Sequence, residues 1–309
     1  MRDVLRAPGA FELPPAVEAA ARGLAGPPAS PADPGERLLA ALCFGQPASA
    51  LTTDAGRAEA RRLLLAPSGE PAPLLWPRRP WGEIAEEVAA RLAERGVLLR
   101  RRALAEAIEV ERGRVVGVRY VQRPDSREEI RRGERGERRR LDVAAVVATP
   151  CWPALAPLLP PDAACASDFR RAEALRPIAS ATVHLWYAEP WPGPFLQVVD
   201  GPLAFALDTS RLHGRAGELH QVTVVVDPEA AATNRTPGAW SAAAAAALER
   251  AVPPLEGRAV ARAMALRDPG AAFVAEDERP SQRTSVRGLA LAGDWTATGL
   301  PPSIESAIA

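Results

Sequence analysis

The chain has 309 residues and a mass of 32.7 kDa, of which 47% are hydrophobic and 25% charged, enough for a sizeable core in one large or two ordinary globular domains. Its 38 basic and 38 acidic side chains cancel, which removes the electrostatic case for nucleic acid or an anionic membrane as principal partner. Every one of the 38 basic residues is arginine, so a P-loop lysine, a lysine Schiff base and a lysine general base are all excluded.

Residues 13–65 read mainly helical, with apolar clusters at 38–42 and 63–65, and proline-rich connections at 25–35 and 66–73. Over residues 83–95, Ile84, Val88 and Leu92 recur at helical spacing with Ala85 and Ala89, and Gly96 stands where such a helix ends. Val97, Leu98 and Leu99 then read as a short strand. Alternating segments 105–110 and 114–121 flank Glu111, Arg112 and Gly113, which predicts a hairpin. Residues 123–140 interleave eight arginines with five acids and no aromatic residue, which fits a solvated hairpin tip better than an RNA patch. Residues 141–148 are expected as one strand, apolar and buried on both faces.

The character changes after residue 150. Segments 178–187, 195–199, 203–207 and 219–226 are strand-like with Pro, Gly and Asp between them, which predicts an antiparallel sheet separate from the first unit. A helix over 239–252 contains six consecutive alanines, and a strand over 260–266 follows. The final strand, 288–292, ends in Gly293 and Asp294; a loop then leads to a helix start near Ser303.

Three cysteines (Cys43, Cys151, Cys165) without a C-x-x-C pair argue against a disulfide framework or a zinc site and fit a reducing cytoplasm. The first residues lack the apolar core of a signal peptide. The longest uncharged stretch, 143–161, carries five prolines, so no transmembrane segment is expected. His184 lies in a strand and reads as a satisfied sheet histidine. His213 and His220 have no cysteine or carboxylate at ligand spacing, so no metal is expected. Trp186, Tyr187, Trp191 and Phe195 fit an apolar tunnel and ordinary packing equally well.

The stretch from Leu289 to Ala309 carries the most chemistry. A buried strand ends in a carboxylate, a glycine permits close backbone approach, and a helix N-terminus offers free N–H groups. That combination suits an anionic or polyhydroxylated ligand at a strand's carboxyl end. The run A-G-D-W-T-x-T-G-x-P-x-x-I-E-S-A over residues 292–307 closely resembles the C-terminal flavin-binding segment of the flavin amine oxidase and phytoene desaturase superfamily. Its squalene-associated branch, the hydroxysqualene dehydroxylases, is the nearest match. Segments 77–96, 141–153, 177–186 and 272–280 agree with the family in order.

The resemblance implies an α/β fold with α+β character: a partial Rossmann-like FAD-binding domain from 76–150 and 285–309, and a mixed-sheet substrate domain from 1–75 and 151–284. It implies FAD as cofactor, with Gly293, Asp294 and Trp295 beside it and Asp294 on its ribityl or pyrophosphate part. Leu300, Pro302, Ser303 and Ile304 would face the flavin, and Ala105 would lie by the adenine, where the family has valine. The implied reaction moves hydride between flavin and a long isoprenoid, such as hydroxysqualene on the way to hopanoids. The implied setting is cytoplasmic, with peripheral membrane contact to collect lipid. A carotenoid- or phytoene-type desaturase, a general flavoenzyme of the amine oxidase family and a non-catalytic binding or partner subunit are the alternatives.

Two departures stand out. No G-x-G occurs, so the family's opening strand–G-x-G-x-x-G–helix is missing and the chain reads as a fragment that alone binds FAD poorly. The lysine that amine oxidases of the superfamily place near the flavin is also missing, which points to the isoprenoid branch.

Overall fold

A computed structural model describes residues 9–11, 23–24, 39–40, 48–64, 74–124, 136–164, 167–199, 201–214, 217–233, 235–274 and 278–299. The fold is α/β, with antiparallel and parallel strands beside helices, and it divides into two compact units, Met1–Val88 with Pro177–Glu276 and Ala89–Arg176 with Asp277–Ala309. Residues 151–176, which the sequence grouped with the sheet after 177, cluster in the second unit.

In the first unit, strand β1 (Gly9–Phe11) pairs antiparallel with β2 (Leu74–Trp76), and helix α1 covers Asp54–Leu64. The main sheet has β7 (Pro177–Tyr187), β8 (Leu196–Val198), β9 (Leu203–Asp208), β10 (His220–Val226) and β11 (Val260–Phe273) in the order β11-β7-β10-β9-β8, all antiparallel. One face of it is the core. Val183, Leu185 and Tyr187 of β7 and Val222, Val224 and Val226 of β10 point to the side of helix α3 (Pro237–Ala251). Trp240, Ala244, Ala247 and Leu248 of α3 are buried there, and the alanine run lets the helix lie close against the strands. Thr236 caps α3, its hydroxyl accepting the Ala239 N–H at 3.2 Å, with Pro237 at the first helical position. β11 runs well past the expected 260–266, kept in the sheet by two register shifts.

Helix α2 (Trp81–Glu94) belongs to both units by sequence and ends as its glycine predicts. Gly96 has φ +80°, its N–H donates to Ala93 O, and the Val97 N–H donates back to Leu92 O at 3.0 Å, a Schellman closure. Val97, Leu98 and Leu99 do not form the expected strand; they have no strand partner among the described residues, and Leu98 is 81% exposed.

The second unit contains β3 (Ala103–Glu111), β4 (Arg114–Gln122) and β5 (Glu137–Asp142), an antiparallel sheet in that order. The β3–β4 turn has positive φ at both loop residues, 50° at Arg112 and 72° at Gly113, the left-handed pair that a two-residue hairpin requires. β5 corrects the reading of 123–140 as a hairpin tip. Its residues pair with β4, and the interleaved charges are ion pairs across the sheet: Arg138–Glu106 at 3.3 Å, Arg140–Glu109 at 2.6 Å and Arg119–Glu109 at 3.3 Å. Residues 125–135 lie outside the described set. A charged edge of this kind resists pairing with other chains.

The expected single strand 141–148 is two. β5 ends at Asp142, and β6 (Val146–Ala148) starts again to pair in parallel with β12 (Leu289–Leu291). It is not buried on both faces either, since Val147 is 66% exposed. Helical turns at Trp152–Leu155 and Arg170–Ala174 follow, with Trp152 stacked on Phe169 at 4.8 Å. The expected helix from Ser303 lies outside the described residues, as do most of residues 13–47.

Candidate functional site at the carboxyl end of β6 and β12

β6 and β12 run parallel, so both release their chains at the same end, where open α/β sheets bind ligands. The pairing extends one step past the strands, the Ala292 N–H donating to Ala148 O at 2.9 Å. At Gly293 the backbone turns with φ +137°. A Cβ there would meet the Trp295 indole at 2.7 Å and Thr149 O at 3.6 Å, so only glycine fits both the dihedral and the space. Gly288, at φ +81°, opens β12 in the same way, with Ala144 O only 2.7 Å from the place of a Cβ.

Asp294 sits just beyond this turn. Burial pushes its carboxyl above the ordinary value, opposed by its own backbone N–H, the Arg279 guanidinium and the Trp295 N–H. Arg279 also donates from Nη1 to the Asp294 carbonyl at 3.2 Å. The result is a half-buried carboxylate that hydrogen bonds from a ligand would relieve. Trp295 is 2% exposed, and its indole N–H reaches Thr149 O at 3.4 Å, so it ties the turn to the end of β6. Thr296 is buried, and both its N–H and its hydroxyl return to Gly293 O, at 3.1 and 2.8 Å. The Ala297 N–H donates to Pro280 O at 2.8 Å. Hydrogen bonds thus hold the loop beside the half-buried Asp294 carboxyl.

Gly293, Asp294 and Trp295 form one turn just past the end of β12. Leu300, Pro302, Ser303 and Ile304 lie outside the described residues. Ala105 lines an open groove of about 730 Å³ with Glu106, Arg119, Arg138, Arg139 and Arg140, and none of Gly293, Asp294 and Trp295 lines it. Thr149, Arg279 and Thr296 were not singled out by sequence. Their roles depend on which backbone carbonyls lie nearby, and nothing in residue type announces that.

The aromatic quartet divides. Tyr187 and Trp191 are buried in the core on the α3 side, where burial pushes the Tyr187 hydroxyl up to about 12 and the Trp191 N–H donates to Pro194 O at 2.9 Å. Trp186 lies on the opposite face of the sheet. His213 Nδ1 is held by Arg78 O at 2.8 Å and His220 Nε2 by the buried Asp208 carboxylate at 2.7 Å. Among the described residues no cluster of His, Cys, Asp and Glu could hold a metal, and no helix is long and apolar enough to cross a membrane.

No protein-family model matches the chain, and no curated protein matches it in sequence. Among solved structures it is similar to an oxidoreductase from Methanosarcina mazei, with 16% identity and a TM-score of 0.48 over 73% of this chain and 51% of that one. It is also similar to putrescine oxidase bound to putrescine, with 13% identity and a TM-score of 0.49 over 88% and 56%. A third is the Bacillus halodurans glycerol-3-phosphate dehydrogenase complexed with FAD, with 16% identity and a TM-score of 0.41 over 76% and 44%. The chain spans about half the length of these structures.

Proposed function

We propose that this chain is part of an FAD-dependent oxidoreductase that moves hydride between the flavin and a long isoprenoid, hydroxysqualene being the favoured substrate. The observation that carries the reading is the turn at Gly293 and Asp294, at the shared carboxyl end of β6 and β12. The resemblance of residues 292–307 to a flavin-binding segment supports the same reading.

The residues present fit FAD. The bare Gly293 backbone allows a ligand to approach, and the Asp294 carboxylate accepts hydrogen bonds from hydroxyl groups of a sugar-like chain. Gly293 and Asp294 would hold the ribityl or pyrophosphate part, with residues 300–304 beside the flavin ring. Bound FAD supplies the hydride chemistry, which side chains lack. Arg279 and the backbone N–H groups of Asp294 and Trp295 favour the ionised carboxylate against the larger effect of burial. Trp295 and Thr296 hold the turn in place, which keeps the carboxylate where the ligand needs it.

The test is single-turnover chemistry. Chain loaded with FAD, reduced anaerobically and mixed with hydroxysqualene should lose the reduced-flavin spectrum as squalene forms, the hydride replacing the hydroxyl, which takes up a proton and leaves as water. Retention of the reduced spectrum by the FAD-loaded chain contradicts the reading.

A further inference from the structure

Strand β11 lies at an edge of the main sheet. β7 pairs with one side of it, and among the described residues no strand pairs with the other. Its ladder with β7 is regular from Arg262 to Asp268, with a register shift before that run and another after it. The open side of the run presents main-chain N–H and C=O groups that another strand can take up. Charge protects β5, an edge of the other sheet, and β8 at the far edge of this one has only three residues. The middle of the β11 run has neither protection. Residues 263–266 carry no charge, and Met264 and Leu266 are 38% and 53% exposed.

Alternation sorts the side chains of this run. Arg262, Met264, Leu266 and Asp268 stand opposite Trp186, His184, Thr182 and Ser180 of β7, on the face away from α3. Read along that face the order is positive, apolar, apolar, negative, which complements itself when the strand is reversed. Two copies set antiparallel about a two-fold axis at Ala265 bring Arg262 opposite the partner's Asp268 and Met264 opposite the partner's Leu266. Ala265 is also the midpoint of the regular run. An axis at Met264 would set Arg262 against Leu266, and an axis at Leu266 would set Asp268 against Met264, so charge selects the central position. Both charged groups have room for the pairing. Arg262 lies 4.9 Å over the Trp186 ring, which occupies the face of its guanidinium and leaves N–H groups at the edge. Asp268 accepts the Gly270 N–H on Oδ1 at 2.9 Å and keeps Oδ2.

We infer that the chain forms a two-fold homodimer through β11, which joins two five-stranded sheets into one continuous sheet. The ladder supplies main-chain hydrogen bonds, Met264 and Leu266 of the two copies leave water together, and the two Arg262–Asp268 pairs fix the register. The same surface is used by both copies, so the contact closes at two, and the short β8 at each outer edge offers little for a third to extend.

Sedimentation of the full chain over a range of concentrations tests this. Wild type should pass from monomer to dimer as concentration rises, and amide exchange across residues 262–268 should slow in step. Leu266→Glu sets a carboxylate against the partner's Met264 at two places and should leave the chain monomeric. Arg262→Asp opposes two carboxylates and Asp268→Arg opposes two guanidinium groups, so each should raise the dissociation constant about tenfold. Combined in one chain, the two changes exchange the signs and should return the constant close to the wild-type value, which misfolded protein would not do. A monomeric wild type, assembly beyond the dimer, a dimer that Leu266→Glu leaves intact, or single variants that the combination fails to rescue would overturn the proposal.

Discussion

Asp294 shows at the scale of one residue how a site can work against stability. Its carboxyl is pushed above the ordinary value chiefly by burial, so the folded state binds the proton more tightly than the unfolded chain. A raised carboxyl contributes stability that is complete below the unfolded value and lost as pH rises through the folded one. Ligand-free Asp294→Asn protein should therefore melt higher than wild type at neutral pH, and the gap should close as pH falls through the carboxylate range; a gap that persists at low pH contradicts this. Gly293 is the opposite case, a residue whose structural demand is absolute. Gly293→Ala should cost about 2–3 kcal/mol in denaturant unfolding, because its dihedral is strained for any side chain and the added Cβ meets Trp295. The sequence made Gly293 and Asp294 legible because glycine and a carboxylate at a strand end have few other uses. Trp295 was legible only by position. Its indole turned out to be buried and bonded to Thr149 O, which no local pattern encodes.

Elements whose information is local matched the sequence closely. Helix α2 and its Gly96 closure, the hairpin at Arg112 and Gly113, helix α3 and strands β7 to β10 follow from periodicity and turn residues alone. The hairpin offers a sharp check. Arg112 occupies a left-handed conformation at φ 50°, so Arg112→Gly should stabilise the chain by about 1 kcal/mol, measured as a shift of the unfolding midpoint with unchanged slope. In α3, Leu248 is fully buried against the sheet, and Leu248→Ala should cost roughly 2–5 kcal/mol by the same measurement. Elements whose identity depends on partners were misread. Residues 97–99 have strand composition but no strand partner among the described residues, and 141–148 split because β5 pairs with β4 while β6 pairs with β12. The arginine-rich β5 looked like a loop until its charges found Glu106 and Glu109 on β3, a distant pairing that composition cannot specify.

At the scale of the whole molecule, two discontinuous units each gather segments far apart in sequence. The second joins 89–176 to the C-terminal stretch through β6 and β12, and that parallel pair places Asp294 at a strand end. The first builds an antiparallel sheet with one face packed against α3. The resemblance to a flavin-binding segment was legible in the sequence because it lies in a single continuous run, residues 292–307. That the turn at Gly293 and Asp294 holds FAD is tested most directly by titrating FAD fluorescence with wild-type chain and with Asp294→Ala. Saturable quenching that Asp294→Ala weakens about tenfold to a hundredfold, the worth of a hydrogen bond to a charged group, is the predicted result. Absence of quenching by wild type, or equal quenching by the variant, would contradict it.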